Sequence, residues 1–169
     1  MAARQESSDN SDYITQAADL LQRLRVASFA TVTAEGLPHV ALVTPALDSD
    51  GQPLLLLSSL AVHTRHLRVT PACALLVTGV AQTENPQTAP RLCLTGEAQP
   101  IESERAKQIF LKIHPYAEQY AEFGDFGFWK IFVSSAQYIG GFASASHLNL
   151  TALQHEISVL LRSSAVDAA

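Results

Sequence analysis

The sequence has 169 residues, of which 47% are hydrophobic and 16% are charged, and its formal net charge is −5. This length fits one domain with a substantial core, and the apolar content excludes a disordered chain. Eleven basic residues against sixteen acidic ones, with no basic run, argue against a nucleic-acid-binding protein. No apolar run approaches the roughly 20 residues of a membrane helix. The N-terminus has no apolar signal segment, so we expect a cytoplasmic protein without membrane contact.

The chain begins with a polar segment, and we predict that residues 1–10 form a disordered tail. An amphipathic helix is predicted from about Tyr13 to Arg25, because apolar residues recur there at helical spacing. Residues 11–162 are predicted to form a single domain, and residues 163–169 a loose C-terminal tail.

Short strands joined by tight turns follow the first helix. Ser28–Thr33 and His39–Val43 flank the turn residues Glu35 and Gly36, which predicts a β-hairpin. Later apolar or alternating segments predict further strands. These are Leu54–Leu57, Ala72–Thr78, Arg91–Ala98, Phe123–Val133 and Tyr138–Phe142, with helices at Glu102–Ile113 and Thr151–Leu161. The pattern predicts a mostly β protein with flanking helices, an antiparallel barrel of six or seven strands.

A barrel of this size is filled by its own side chains, so we expect any cofactor to bind on its outside. Leu54–Leu57 and Ala74–Val77 are apolar on both faces. Their outer faces therefore need cover, and a symmetric homodimer would provide it.

The segment after the Leu54–Leu57 run has the composition of an anion site. Ser59 is a predicted N-cap of a short helix that ends before Pro71. Leu60, Thr64 and Leu67 are predicted to share one stripe of this helix. The helix start, the hydroxyl groups of Ser58, Ser59 and Thr64, and the guanidinium of Arg65 suit a phosphate monoester. The alternative is an ordinary cap followed by a solvated arginine.

Other reactive residue types give weaker patterns. His63 and His66 are three residues apart and could share a metal ion, but no third ligand is evident, so we predict no metal site. Cys73 and Cys93 lie in apolar runs without CxxC spacing and are predicted to be buried, reduced thiols. The sequence has no nucleophile elbow and no phosphate-binding glycine loop, so catalytic residues stay unassigned.

Three segments in order resemble the FMN-binding split-barrel superfamily. They are LSSLAVHTRHL at 57–67, PRLCLTGEA at 90–98 and FGDFGFWKIFVSSAQYIGGFASASHL at 123–148. Their order and spacing are similar to those of the branch with pyridoxamine 5′-phosphate oxidase-like and haem-utilisation (HugZ-like) proteins. The resemblance covers roughly Ala27 to Leu148. It implies a split β-barrel of the FMN-binding type.

The resemblance also implies a function and a site. It implies a homodimer with FMN at the subunit interface, acting as an oxidoreductase on a small substrate. The alternative is a non-enzymatic FMN or haem carrier. By resemblance, the cofactor-binding residues would be Ser58, Ser59, Thr64, Arg65, Arg91, Trp129 and Lys130. Haem needs an axial ligand in an apolar slot, but His63 and His66 lie at a helix start that better suits an anion, and His155 lies in a last predicted helix of ordinary amphipathic pattern. We therefore expect FMN, rather than haem, to be the tight ligand.

Overall fold

The computed structural model of the protein describes residues 2–23, 25–141 and 144–166. The helices are α1 (Ala2–Gln22), α2 (Val62–Leu67), α3 (Glu104–Ile113) and α4 (Leu150–Val166). The strands are β1 (Ala27–Val32), β2 (Pro38–Val43), β3 (Ala46–Leu47), β4 (Pro53–Ser58), β5 (Ala72–Thr78), β6 (Arg91–Pro100), β7 (Phe126–Gly141) and β8 (Ser144–His147). Two 3-10 turns lie at Pro86–Thr88 and Pro115–Gln119.

The strands form one curled sheet in the order β2-β1-β5-β6-β7-β4-β3, and β8 also pairs with β7. Every pairing among the described strands is antiparallel, as the short connections predicted. The fold class predicted from the sequence, an antiparallel split barrel with flanking helices, is confirmed. The described strands number eight, because the very short β3 and β8 add to those predicted.

The long strand β7 holds the sheet together. It pairs with β6 over most of its length, with β4 near Phe126 and with β8 near Gly141. The prediction of two separate strands at Phe123–Val133 and Tyr138–Phe142 was therefore wrong, although Phe142 itself lies outside the described residues. A bulge at Gly96 bends the β6–β7 pair, and a Cβ there would lie 2.2 Å from the carbonyl oxygen of Phe132.

The concave side of the sheet contains the main core, which α1 and α4 complete. The largest side chains with almost no exposure there are Phe29, Leu55, Leu75, Leu92, Leu94, Ile131 and Tyr138. The hydroxyl of Tyr138 donates to Gln16 on α1 at 3.0 Å, which satisfies its polar atom inside the core. No helix in the described part of the chain is both long and apolar enough to cross a membrane.

A second, smaller core lies outside β4, where α3 packs on the sheet. Leu54, Ala106 and Phe110 are buried in it. The hydroxyl of Ser103 accepts a hydrogen bond from the amide of Ala106 at 3.2 Å and so caps α3. His114 ends this helix, and its Nε2 donates to the carbonyl of Pro45 at 2.9 Å. The outer face of β4 is therefore covered by α3 within the protomer, and the homodimer itself remains a prediction.

Helical backbone extends into both segments that the sequence predicts as tails. Helix α1 begins at Ala2, so helical backbone continues through the segment predicted as a disordered tail at residues 1–10. Helix α4 continues to Val166, into the predicted tail at 163–169, of which residues 167–169 lie outside the described residues. The single-domain boundary at residues 11–162 remains a prediction.

Candidate functional site

A cavity of about 240 Å³ opens beside the end of β4 and the start of α2. We call it the site cavity. Its wall is mostly apolar, with two hydroxyl groups and one imidazole. The lining residues are Leu42, Val43, Thr44, Leu55, Leu56, Leu57, Ser58, Ala61, His63 and Phe126. Of the residues that the sequence predicted to bind a cofactor, only Ser58 lines this cavity.

Strand pairing and hydrogen bonds to Asp125 hold the Ser58 end of the site cavity in place. Ser58 pairs with Phe126 in the β4–β7 register. The Ser58 hydroxyl also donates to Oδ2 of Asp125 at 2.6 Å, and it accepts from the amide of Leu60 at 3.1 Å. The amide of Ser59 donates to the main-chain oxygen of Asp125 at 2.6 Å. Asp125 therefore fixes the path of the chain from β4 into α2.

Helix α2 begins later than the sequence predicts. Its N-cap is Ala61, which makes no side-chain capping bond, so the prediction of Ser59 as the cap was wrong. The physical reason is the bonding of the Ser58–Ser59 segment to Asp125, which occupies these residues in a turn before the helix. Leu60 is 75% exposed and does not share the buried stripe of Thr64 and Leu67, contrary to prediction.

Thr64 and Arg65 point to opposite environments. Thr64 is 1% exposed, and its hydroxyl is buried without a hydrogen-bond partner among the described residues. Arg65 is exposed to solvent. Of the two, only Arg65 is thus accessible to a ligand. It lies one helical turn after Ala61, which is part of the cavity wall.

The remaining predicted site residues lie elsewhere in this protomer. Trp129 is 6% exposed in the main core. Lys130 forms ion pairs with Asp48 at 2.5 Å and Asp50 at 3.6 Å. Nη1 of Arg91 donates to the carbonyl groups of Gln87 and Ala89 at 3.0 and 3.1 Å.

The strand register gives the separation of these residues from Ser58. Arg91 pairs with Ile139 on β7, whereas Ser58 pairs with Phe126. That difference of thirteen residues corresponds to about 40 Å measured along β7. A single protomer therefore does not bring the seven predicted residues together.

Three imidazoles cluster where α2 meets the β1–β2 hairpin. The rings of His39 and His66 have centroids 5.3 Å apart, and Nδ1 of His66 lies 3.1 Å from the hydroxyl oxygen of Thr31. His63 is half-buried, and its ring lies edge-on to that of Phe29 with the two centroids 6.0 Å apart. Burial, and then the nearby His39 and His66, lower the pKa of His63. His63 is therefore held as the neutral imidazole at neutral pH.

Sequence reasoning missed most of the site cavity. Leu42, Val43 and Phe126 read as ordinary strand residues, and only the folded sheet brings β2, β4 and β7 to one place. His63 carried a signal, since it directly precedes Thr64 and Arg65, but its apolar surroundings come from tertiary packing. Among residues 2–23, 25–141 and 144–166, no three His, Cys, Asp or Glu side chains lie close enough to hold a metal ion.

The fold and sequence are similar to those of several known proteins. The chain is 39% identical over 114 residues to "Non-canonical heme oxygenase HOZ, chloroplastic" of Arabidopsis thaliana. This match covers 66% of the chain but only 34% of the plant protein. A heme binding protein from Mycobacterium smegmatis superposes with a TM-score of 0.75 and 26% identity, over 82% of this chain and 60% of that one. The chain thus spans less than two thirds of either relative.

A more distant structure shares the fold alone. The "Putative Pyridoxamine 5'-phosphate oxidase" of Listeria innocua superposes with a TM-score of 0.59 at 17% identity, over 76% of this chain and 98% of that one. The predicted resemblance to split-barrel proteins of the pyridoxamine 5′-phosphate oxidase-like and haem-utilisation type is confirmed. The family model described as "CREG, beta-barrel" matches residues 8–154, and the chain belongs to this family.

Proposed function

We propose that this protein binds haem in the site cavity. The observation that carries the proposal is His63, a neutral imidazole in an apolar wall. A haem iron takes its axial ligand from such a group, because neutral imidazole has a free ring nitrogen and an apolar slot excludes competing water. His63 fits both conditions: burial lowers its pKa, and Phe29 packs against its ring.

The rest of the site cavity also suits a large planar ring with acidic substituents. Leu42, Leu57 and Phe126 offer apolar surface for the ring. Arg65 on α2 and Arg68 directly after it are exposed and could pair with carboxylates. Haem, when bound, would supply the redox chemistry. The residues of this chain would hold the ring, orient it through His63 and exclude water from one of its faces.

The names of the relatives support the same ligand. The plant relative is named a heme oxygenase and the mycobacterial structure a heme binding protein. We therefore propose oxidative chemistry on haem as the reaction class if the protein is an enzyme. Storage or transfer of haem is the non-enzymatic form of the proposal.

A second copy of the chain would complete the site. The cavity volume of about 240 Å³ is below the roughly 300–1,000 Å³ of small-molecule pockets. Leu42 lines the cavity and is also 75% exposed. It lies on a sheet face whose neighbours Val40 and Leu76 are 63% and 39% exposed. We call this the open face, and we propose a symmetric homodimer that covers it and closes the cavity.

FMN, which the sequence favours, is the second candidate ligand. Exposed Arg65 beside an apolar cavity supports it, since a flavin also has a planar ring and a charged tail. The phosphate end fits less well. The Ser58 hydroxyl donates to a carboxylate, and the Thr64 hydroxyl is buried and does not line the cavity. Haem is therefore the first candidate ligand and FMN the second.

The test is to titrate the purified protein separately with haemin and with FMN. We expect one haem per protomer, with a His-ligated absorption spectrum that is lost in His63→Ala. The matched control is His155→Ala, because His155 is an exposed imidazole on α4 and should not affect the spectrum. A haem complex that survives His63→Ala, or disappears in His155→Ala, would contradict the assignment. Stoichiometric FMN uptake without haem uptake would establish the second candidate instead.

A further inference from the structure

We propose that Asp125 determines which ligands the site cavity accepts, by excluding a phosphate monoester from the Ser58 end. The proposal rests on the site cavity being the cofactor site, as proposed above. At this end of the cavity, the residue types and the observed hydrogen bonds point to different ligands. The residue types at Ser58–Arg65 suit phosphate, but the hydrogen bonds in the folded protein do not.

Four donors at the start of this segment, from Ser58 to Ala61, are already engaged. The Ser58 hydroxyl donates to Oδ2 of Asp125 at 2.6 Å, and the Ser59 amide donates to its main-chain oxygen at 2.6 Å. The Leu60 amide donates to the Ser58 hydroxyl oxygen at 3.1 Å, and the Ala61 amide donates to the Ser58 carbonyl at 3.1 Å. A phosphate would have to break these bonds before it could accept from the same groups.

The negative charge of Asp125 also disfavours a phosphate at Ser58. The Asp125 carboxylate lies 2.6 Å from the hydroxyl that a phosphate would use. A phosphate monoester carries between one and two negative charges at neutral pH, so binding at Ser58 would place like charges within a few ångströms. The exposed Arg65 lies one helical turn after Ala61 and does not line the cavity at Ser58. A carboxylate therefore occupies the place where a phosphate-binding site needs a positive group.

The structural alternative is that Asp125 only fastens the turn before β7. That role would need the hydrogen bond from Ser58 but not the negative charge. The variant Asp125→Asn separates the two roles, because the amide oxygen still accepts from Ser58 while the charge is removed.

The experiment compares FMN with riboflavin, which differ only by the phosphate. Quenching of flavin fluorescence gives both affinities for the wild-type protein and for Asp125→Asn. We expect wild type to bind riboflavin at least as tightly as FMN. In Asp125→Asn, the affinity for FMN should rise about tenfold relative to that for riboflavin, which should stay within about twofold.

The matched control is Asp12→Asn, which removes one negative charge from an exposed residue on α1. Its neighbour Tyr13 packs on Tyr138, at the other end of β7 from Phe126. Asp12→Asn should leave both affinities unchanged. If Asp125→Asn does not fold, Asp125→Ala provides a second neutral variant, which removes the charge together with the acceptor.

Three results would overturn the proposal. They are an unchanged FMN-to-riboflavin ratio in the neutral variants, a wild-type protein that prefers FMN, and no flavin binding by any variant. Haemin titration of the same samples is a separate readout. If haem binding is absent but the ratio shifts, the haem proposal fails and the role of Asp125 stands. If haem binds but the ratio does not shift, the reverse holds.

Discussion

Two outer faces of the same sheet differ in solvent exposure: one is covered by a helix and the other is open. Outside β4, Leu54 has no exposure, because Phe110 and Ala106 of α3 pack on it. On the open face, Val40 and Leu42 of β2 are 63% and 75% exposed, and no described element covers them. Both faces are apolar in sequence. Apolar residues on the outside of this barrel are thus buried within the protomer in one place and exposed in the other, where the proposed homodimer would cover them.

The two faces should therefore respond differently to substitution. A change under α3 should alter the free energy of unfolding of one protomer. A change on the open face should alter association between protomers and leave the stability of each protomer nearly unaffected. The contrast also concerns function, since Leu42 belongs to both the open face and the site cavity.

The largest effect is expected for Phe110→Ala. Phe110 is 1% exposed and packs edge-on against Phe128, with ring centroids 5.6 Å apart. Removing a buried phenylalanine costs about 3–5 kcal/mol of unfolding free energy, through lost transfer energy and an unfilled cavity. Urea denaturation measures this loss. The control is Phe123→Ala, because Phe123 is 57% exposed and should cost far less. Equal losses would mean that α3 does not form a core on β4.

The next effect concerns the open face and is measured as association. Val40→Lys places a charge in the middle of this face, opposite Ala30 on β1. We expect the dimer to dissociate at least about 100-fold more readily, because burying an unpaired charge at an interface is costly. Sedimentation velocity over a concentration series measures this change.

The control for the open face is Val80→Lys, in which a valine that is 79% exposed after β5 receives the same charge. It should leave the dimer intact. Both variants should keep the unfolding free energy of the protomer within about 0.5 kcal/mol. A wild-type protein that sediments as a monomer at micromolar concentration would contradict the homodimer itself.

The strands were largely predictable from sequence because their signals are local. The alternation in β1 and β2 and the turn at Glu35–Gly36 fix the hairpin without long-range information. The choice between the two outer faces was not predictable. Leu54–Leu57 and Ala74–Val77 look equivalent in sequence, and only the return of the chain through α3 distinguishes them.

The site was predictable in part for the same reason. The segment around Ser58 and His63 has a local signature and does line the cavity. The role of Asp125 was not visible, because it acts across 67 residues of sequence on the hydroxyl of Ser58. Spacing along the chain carries no information about such a contact. The Asp125 carboxylate, which the turn before β7 places beside Ser58, alters which ligands the Ser58 segment suits.

The two cysteines provide a chemical probe of the open face. Cys73 is 8% exposed on the inner side of β5, and burial raises its pKa to about 12, so almost no thiolate forms at pH 8. Cys93 is half-buried and lies opposite Leu76, on the open face, contrary to the prediction that both cysteines are buried.

Thiol labelling at pH 8 should therefore distinguish the two residues. Cys73 should react only after unfolding. Cys93 should react slowly in the wild-type dimer and severalfold faster in Val40→Lys, because dissociation uncovers it. The variant Cys93→Ser removes the fast phase and identifies it. Equal Cys93 rates in wild type and Val40→Lys would mean that association does not cover the open face.

The smallest effect is a pH dependence of stability from His63. Its pKa is lowered in the folded state, first by burial and then by His39 and His66, so the unfolded chain binds a proton more readily than the folded one. The stability that neutral His63 contributes is therefore present above its unfolded pKa of about 6.5, and is lost as pH falls through its lower folded pKa. Glu35, which interacts with His66, has its own pKa lowered, chiefly by the hydroxyl of Thr33, and stays ionised throughout this range. Thermal unfolding between about pH 7.5 and pH 5 should show a shallower fall of Tm in His63→Gln than in wild type. The control His155→Gln, at an exposed site, should follow wild type.

If His63→Gln follows the wild-type slope as well, the imidazole is not held neutral by its surroundings, and the argument for His63 as a metal-ligating imidazole loses its electrostatic basis.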